Sequence, residues 1–264
     1  AGPTPTPTAT VPVPAATDTP TPTATVPGGA TPTATPTVPV IVPPGAGGPG
    51  IFFSQTSFWI RDNAACPGSP GVTANFMTDF YRLGDIGTLG YPASRPYWQA
   101  GFCYVVAQRG ILQWRQDYSP PQSVLANTMD WLHDAGKDAF LASKGIPAHF
   151  TGDDGAGGDF ERAKQIRFGW LTDPAIEAAY FANPNPSQIP GSLWDPVVFY
   201  GLPTSQPVRS GPFTVQRTQR YVFQKWEQSV PGMPPAGSVV GVLAGDLAKE
   251  AGLVPAPAMQ VETP

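Results

Sequence analysis

Eight residues of this 264-residue chain recur at a constant spacing of 111 positions, without a gap. Gly90, Pro92, Ser94, Pro96, Phe102, Gln108, Arg109 and Gln113 return as Gly201, Pro203, Ser205, Pro207, Phe213, Gln219, Arg220 and Gln224. Such a match restricts the fold to one that uses the same unit twice. Within each copy a Gly-x-Pro step reads as a tight turn, followed by an extended arm. Two alternating segments then read as hairpins: Phe102–Ala107 with Ile111–Arg115, and Phe213–Arg217 with Arg220–Trp226. The units lie near residues 80–117 and 190–229, and Trp114 and Trp226 stand one position out of step between them.

Helical segments flank these units. Asn75–Leu83 places Phe76, Phe80 and Leu83 on one side and ends at Gly84. Ser123–Ala135 reads as a second helix, with Val124, Leu125, Met129 and Leu132 inward and Gly136 after it. Asp173-Pro174 is an N-cap and first-turn pair for a third, carrying Ile176 and Tyr180. Ala244–Ala251, closed by Gly252, is a fourth. The expected class is α+β, in one compact domain over residues 51–264.

Residues 1–50 are of another kind. They hold fourteen Pro and thirteen Thr, with Asp18 as their one charged residue and no aromatic residue. Such a stretch buries too little apolar surface to offset the entropy of ordering. TPTPTATVP occurs at Thr4–Pro12 and again at Thr19–Pro27, with a variant over Thr31–Pro39. Alternating prolines predict an extended polyproline II stalk reaching roughly 150 Å at about 3.1 Å per residue. Threonines among closely spaced prolines have the composition of O-glycosylated stalks. The candidate acceptors are Thr4, Thr6, Thr8, Thr10, Thr17, Thr19, Thr21, Thr23, Thr25, Thr31, Thr33, Thr35 and Thr37; the plain alternative is a bare linker.

Charged residues make up 13% of the chain and the net charge is −4. No basic face of the kind a nucleic-acid binder needs is visible. No run is long and apolar enough to span a bilayer; no signal peptide is read at the start, and the opening AGPTPTPT is expected to be that of a mature product after cleavage. An extracellular, cell-surface location is the expectation, drawn from the stalk. Cys66 and Cys103 then read as one disulfide, against the alternative of two buried thiols.

The segment LGDIGTLGYPASRP followed by AQRGILQW resembles an LGFP-type repeat, through Leu83-Gly84, Leu89-Gly90-Tyr91-Pro92, Gln108, Gly110 and Trp114. The second unit matches less well: Tyr200-Gly201-Leu202-Pro203 is transposed, and Tyr221 replaces the hairpin glycine. The resemblance covers about a quarter of the chain and implies a role at the bacterial cell envelope, in attachment to the wall. AGKDAFL, FYGLPTS, VPGMPPAGSVVGVL and GDLAKEAGL, behind a PTPTAT tail, also resemble secreted proteins of Chloroflexi-type bacteria. That likeness implies an extracellular setting and no activity.

Chemistry is sparse. The only histidines are His133, on an expected helix, and His149, before the acidic loop TGDDGAGGDFE. Asp153, Asp154, Asp159 and Glu161 in that loop are a weak calcium candidate whose spacing is not that of an EF-hand. No zincin, Cys-x-x-Cys, phosphate-loop or nucleophile-elbow motif is present. Asp62 and Asp195 sit in turns beside aromatics, and their spacing alone does not make them a glycosidase pair. Trp98, in the arm between turn and hairpin, is the candidate glycan contact, and its counterpart is Arg209. No catalytic residue and no cofactor is expected.

The leading reading is a non-enzymatic extracellular structural protein, either a cell-surface module or a glycosylated surface-filament subunit that self-associates through its stalk. A module binding cell-wall or other envelope glycans is the alternative, and a hydrolase the third.

Overall fold

A computed structural model describes residues 40–45 and 48–264 of the chain, with side chains from residue 49 onward. The predicted glycosylation sites lie outside the described residues. Six residues of the expected stalk form strand β1 (Val40–Gly45), which pairs antiparallel with β2 (Gly48–Phe53). Strand β3 (Phe58–Arg61) completes this first sheet. A ribbon of β4 (Ala64–Ala65) and β5 (Thr73–Ala74) leads to helices α1 (Phe76–Arg82) and α2 (Asp85–Leu89). Unit one is the sheet β6 (Tyr97–Gln99), β7 (Phe102–Ala107), β8 (Gly110–Arg115) and β9 (Gln122–Leu125). Helices α3 (Thr128–Asp134), α4 (Asp138–Ser143), α5 (Phe160–Phe168), α6 (Pro174–Phe181) and α7 (Pro196–Tyr200) follow. Unit two repeats the antiparallel sheet with β10 (Val208–Ser210), β11 (Phe213–Arg217), β12 (Val222–Trp226) and β13 (Val239–Gly241), before α8 (Ala244–Glu250). The fold is α+β, as the mixed periodicities imply.

The repeated residues have repeated jobs. Gly90 and Gly201 end α2 and α7 at φ +72° and +70°. Pro92 bridges Ala107, and Pro203 bridges Thr218. The Gln108 carboxamide oxygen accepts from Tyr91 N at 3.1 Å, as that of Gln219 does from Leu202 N at 2.9 Å. The hydroxyl of Ser94 accepts from Val106 N at 2.8 Å, and that of Ser205 from Arg217 N at 3.0 Å. Arg109 donates to the carbonyl of Gly87, and Arg220 to that of Val198. The recurring side chains thus satisfy backbone groups that a tight turn leaves open.

The duplication runs past the predicted bounds, with the offset lengthening to 116. Gly136 and Gly252 terminate α3 and α8 at φ +69° and +79°. Lys137 N and Leu253 N return to the carbonyls of Leu132 and Ala248. The two helices are exchanged. Met129 N and Asp130 N, which open α3 after unit one, are both bound by the Gln219 carbonyl of unit two. Gly245 N and Asp246 N, which open α8 after unit two, are bound by the Gln108 carbonyl of unit one. The cores follow the same exchange. Met129 and Leu132 pack with Phe213, Val215, Val222 and Trp226, and Ala248 packs with Tyr104, Val106 and Ile111, although Ala244 and Leu247 of α8 also join the first cluster and Trp131 of α3 borders the second.

The second expected helix needs correction at its start. Gln122–Leu125 is an edge strand, and the helix begins at Thr128. Val124 and Leu125 looked like adjacent core positions of a helix, yet Leu112, Gln113 and Trp114 pair with Leu125, Val124 and Ser123. Asp79 accepts from Ser123 N, and Arg82 donates to the Ser123 carbonyl at 2.6 Å, so one ion pair caps the outer edge. Asn75–Leu83, Asp173-Pro174 and Ala244–Ala251 do mark helices. The Asp173 carboxylate accepts from Ala175 N and Ile176 N, and Ile176 and Tyr180 are fully buried.

The glycine turns carry a prediction. A Cβ added at Gly201 would lie 2.6 Å from Gln219 Cβ, and one at Gly90 2.9 Å from Gln108 Cβ, both at positive φ. Gly252 has positive φ but open space around it. Gly201→Ala and Gly90→Ala are therefore expected to cost about 2–3 kcal/mol each, and Gly252→Ala about 1 kcal/mol. Urea denaturation checks the ranking; equal costs at all three sites would mean that the glutamine contact is unimportant.

Candidate functional sites: an aromatic cleft and a stacked histidine pair

Trp98, Cys103 and Trp114 stand directly opposite one another on β6, β7 and β8, so they share one face of the sheet. That face borders a cleft of about 330 Å³ walled by Trp98, Phe102 and Trp114, with Gln116 and Asp117 at its polar side. Trp98 is half-buried and Trp114 buried. Cys103 is joined to Cys66, with Cα atoms 5.8 Å apart, which ties the loop beyond β4 under the same face. Asp117 is spoken for. Arg115 donates to its two carboxylate oxygens at 2.8 and 2.5 Å, and this hydrogen bonding holds the carboxyl below the usual range.

Unit two fills the equivalent positions differently. In place of Trp98, Cys103, Trp114 and Gln116 it has Arg209, Thr214, Lys225 and Glu227. Trp226 is not the counterpart of Trp114: it pairs with Phe213, whereas Trp114 pairs with Cys103. Glu227 contacts Arg209 at 3.3 Å and Lys225 at 2.9 Å, and accepts from the Thr214 hydroxyl. Lys225 also pairs with Asp173. Hydrogen bonds from Thr214 and then Lys225 lower the Glu227 carboxyl; those to Asp173 and Glu227 raise the Lys225 amine. One scaffold thus carries an aromatic cleft on its first copy and an ion-pair network on its second.

Both histidines of the chain meet on the α3 side of unit two. Their rings stack with centroids 4.3 Å apart and planes 12° apart. His133 Nδ1 lies 2.5 Å from Asp138 Oδ2, and His149 Nε2 3.4 Å from Asp130 Oδ1. The guanidinium of Arg217, wholly buried, donates to Asp138 Oδ1 at 3.0 Å and to the Met129 carbonyl. Burial works to raise the Asp138 carboxyl, but hydrogen bonds from Arg217 and His133 outweigh it and leave the group below the usual range. Desolvation pushes the Arg217 guanidinium down from its ordinary value. In unit one the positions of Arg217 and Asp138 are Val106 and Val254, both inside an apolar cluster. No spacing in the sequence links 133, 149 and 217. The available signal was the duplication itself, which sets an arginine against a valine at the end of the equivalent strand.

The carboxylates of the acidic loop are not gathered into one ligand set. Asp153 accepts from Gly155 N, Asp154 from Ala156 N and from Arg167, Asp159 from Arg162 N at the start of α5, and Glu161 pairs with Lys164. Among the described residues no group of three or more His, Cys, Asp or Glu side chains is placed to hold a metal ion. Asp62 accepts from both the backbone N–H and the hydroxyl of Thr78, and Asp195 caps α7 through Val197 N. No helix among the described residues is long and apolar enough to cross a membrane. Comparison with protein-family models, with curated proteins and with solved structures finds no match.

Proposed function

We propose that this chain is a non-enzymatic extracellular structural protein, a cell-surface module or a subunit of a surface filament, borne on an O-glycosylated Pro/Thr stalk. The observation that carries this reading is what the duplication preserves. Gly90/Gly201, Gln108/Gln219, Ser94/Ser205 and Arg109/Arg220 all serve backbone geometry or backbone hydrogen bonds. The shared residues hold a frame, and the two faces where chemistry differs are private to one copy. A disulfide suits an oxidising compartment. The LGFP-like step at Leu83-Gly84 and Leu89–Pro92 fits the same envelope setting. Attached sugars would stiffen the stalk and supply solubility that its uncharged residues lack.

Intact mass and electron micrographs of the native material test this reading. The expected result is a mass above that of the bare chain, with the excess on Thr4–Thr37 peptides, and fibres or wall-bound material. Unmodified peptides together with dispersed single particles would overturn it. A second reading, a module that binds envelope glycans, is favoured by the Trp98 cleft, since aromatic faces stack on sugar rings. Pull-down on purified cell-wall glycans, lost in Trp98→Ala, is its expected signature.

A further inference from the structure

We propose that the Trp98 cleft of one copy receives the proline-rich stalk of a second copy, through the prolines of a TPTPTATVP phrase whose threonines carry no sugar, the sugars of the stalk sitting on its other threonines. This rests on the assembly reading above and names its contact. Proline-rich segments are recognised by aromatic-lined grooves, which accept proline rings between aromatic ridges and hydrogen-bond the exposed backbone carbonyls. Trp98, half-buried, supplies the ridge and the buried Trp114 beside it the floor, while Phe102 borders the cleft with its ring turned to the opposite face, onto Tyr104. Gln116, which has no side-chain partner among the described residues, supplies the amide donor. A sugar asks for more, because each hydroxyl needs a partner, and Asp117 is already taken up by Arg115.

Charge selects the copy. The stalk has one charged residue, Asp18, in fifty. Docking it on unit two would strip water from Arg209, Lys225 and Glu227 without giving them new partners, whereas the unit-one cleft asks for little desolvation. Length selects a second molecule over the stalk's own domain. Residues 1–39, in the extended geometry their sequence predicts, reach about 120 Å. A domain the size of residues 49–264 has a radius of gyration of about 17 Å, hence a width near 45 Å. A segment extended as the sequence predicts would outreach its own domain. The related phrases begin at Thr4, Thr19 and Thr31, roughly 35–45 Å apart on such a segment, so successive neighbours could each meet one.

The test is self-association of the full chain by sedimentation, comparing wild type with Trp98→Arg and Gln116→Glu, the residues of unit two. The wild type should associate with rising concentration. Trp98→Arg should weaken association at least tenfold at a temperature well below its thermal midpoint, which its loss of packing lowers, and Gln116→Glu, at an exposed position, should weaken it less with an unchanged midpoint. A synthetic Thr19–Pro27 peptide should compete. Association unaltered in both variants, or competed by wall glycans and not by the peptide, would overturn the proposal. If native fibres form equally well from Trp98→Arg, this contact fails while the structural reading stands. If the native protein is unmodified and dispersed, the structural reading fails with it.

Discussion

Arg217→Ala is expected to lower stability by about 2–4 kcal/mol, from the cavity it opens and the buried carbonyl it leaves without a partner; Asp138, partly exposed, can turn to water. Arg217 is the largest wholly buried side chain among the described residues, and its guanidinium ties Asp138 and the Met129 carbonyl to β11. Alanine leaves a cavity and an unpaired carbonyl at the start of α3. Arg217→Met restores most of the volume without the charge and should cost less than half as much, because unit one manages the same place with Val106 and Val254. Equal losses in the two variants would show that charge, not packing, dominates. Acid sharpens the distinction. The native Asp138 carboxyl is held low, so its contribution is complete above the unfolded value near pH 4 and is lost as pH falls through the lower native value. Arg217→Met removes part of what holds it low, so it should lose less stability than wild type over that acid range. Denaturant midpoints measured between pH 2 and 6 decide this.

Loss of the Cys66–Cys103 bond should have an effect of similar size. The two residues are 37 apart, and closing such a loop contributes about 4 kcal/mol in the chain-entropy model. At roughly 2–4 °C per kcal/mol for a domain of this size, the midpoint should fall by roughly 8–16 °C. The informative variant is Cys66→Ala with Cys103→Thr, which places at 103 the residue that unit two carries at Thr214. Both cysteines are buried, so a thiol titration with and without denaturant should find no free thiol in the wild type. A midpoint insensitive to the double substitution would mean that the aromatic face keeps its packing without the bond.

The turn-plus-hairpin units were legible because a duplication exposes itself to simple alignment, and because Gly, Pro and alternating residues have local meanings. The disulfide was legible from the count of two cysteines and from the compartment expected of a stalked chain. What the sequence concealed lay in pairings across long separations. Nothing in Ser123–Leu125 announces that β8 claims it as a strand, since two adjacent apolar residues fit either period. The Trp98 site was half legible. Its place in the arm and its Arg209 counterpart pointed to it, but Trp114 joined it only once cross-strand register set Trp114 opposite Cys103 and Trp226 opposite Phe213. The stacked histidines were invisible, because His149 comes from a loop and Arg217 from a strand far along the chain.

The exchange of α3 and α8 makes the two halves hostages to each other. Each sheet holds the start of the other's helix, and both helices lend side chains to both cores: the groups at 108 wait for those at 245, and the groups at 219 for those at 129. A chain wired in this way has no stable halfway house, because releasing either half strips the other of its lid, and it should melt in a single concerted step. For a domain pulled through its N-terminal segment this is a useful failure law. The joint does not creep or unravel strand by strand under a modest pull; it holds whole until it gives way whole.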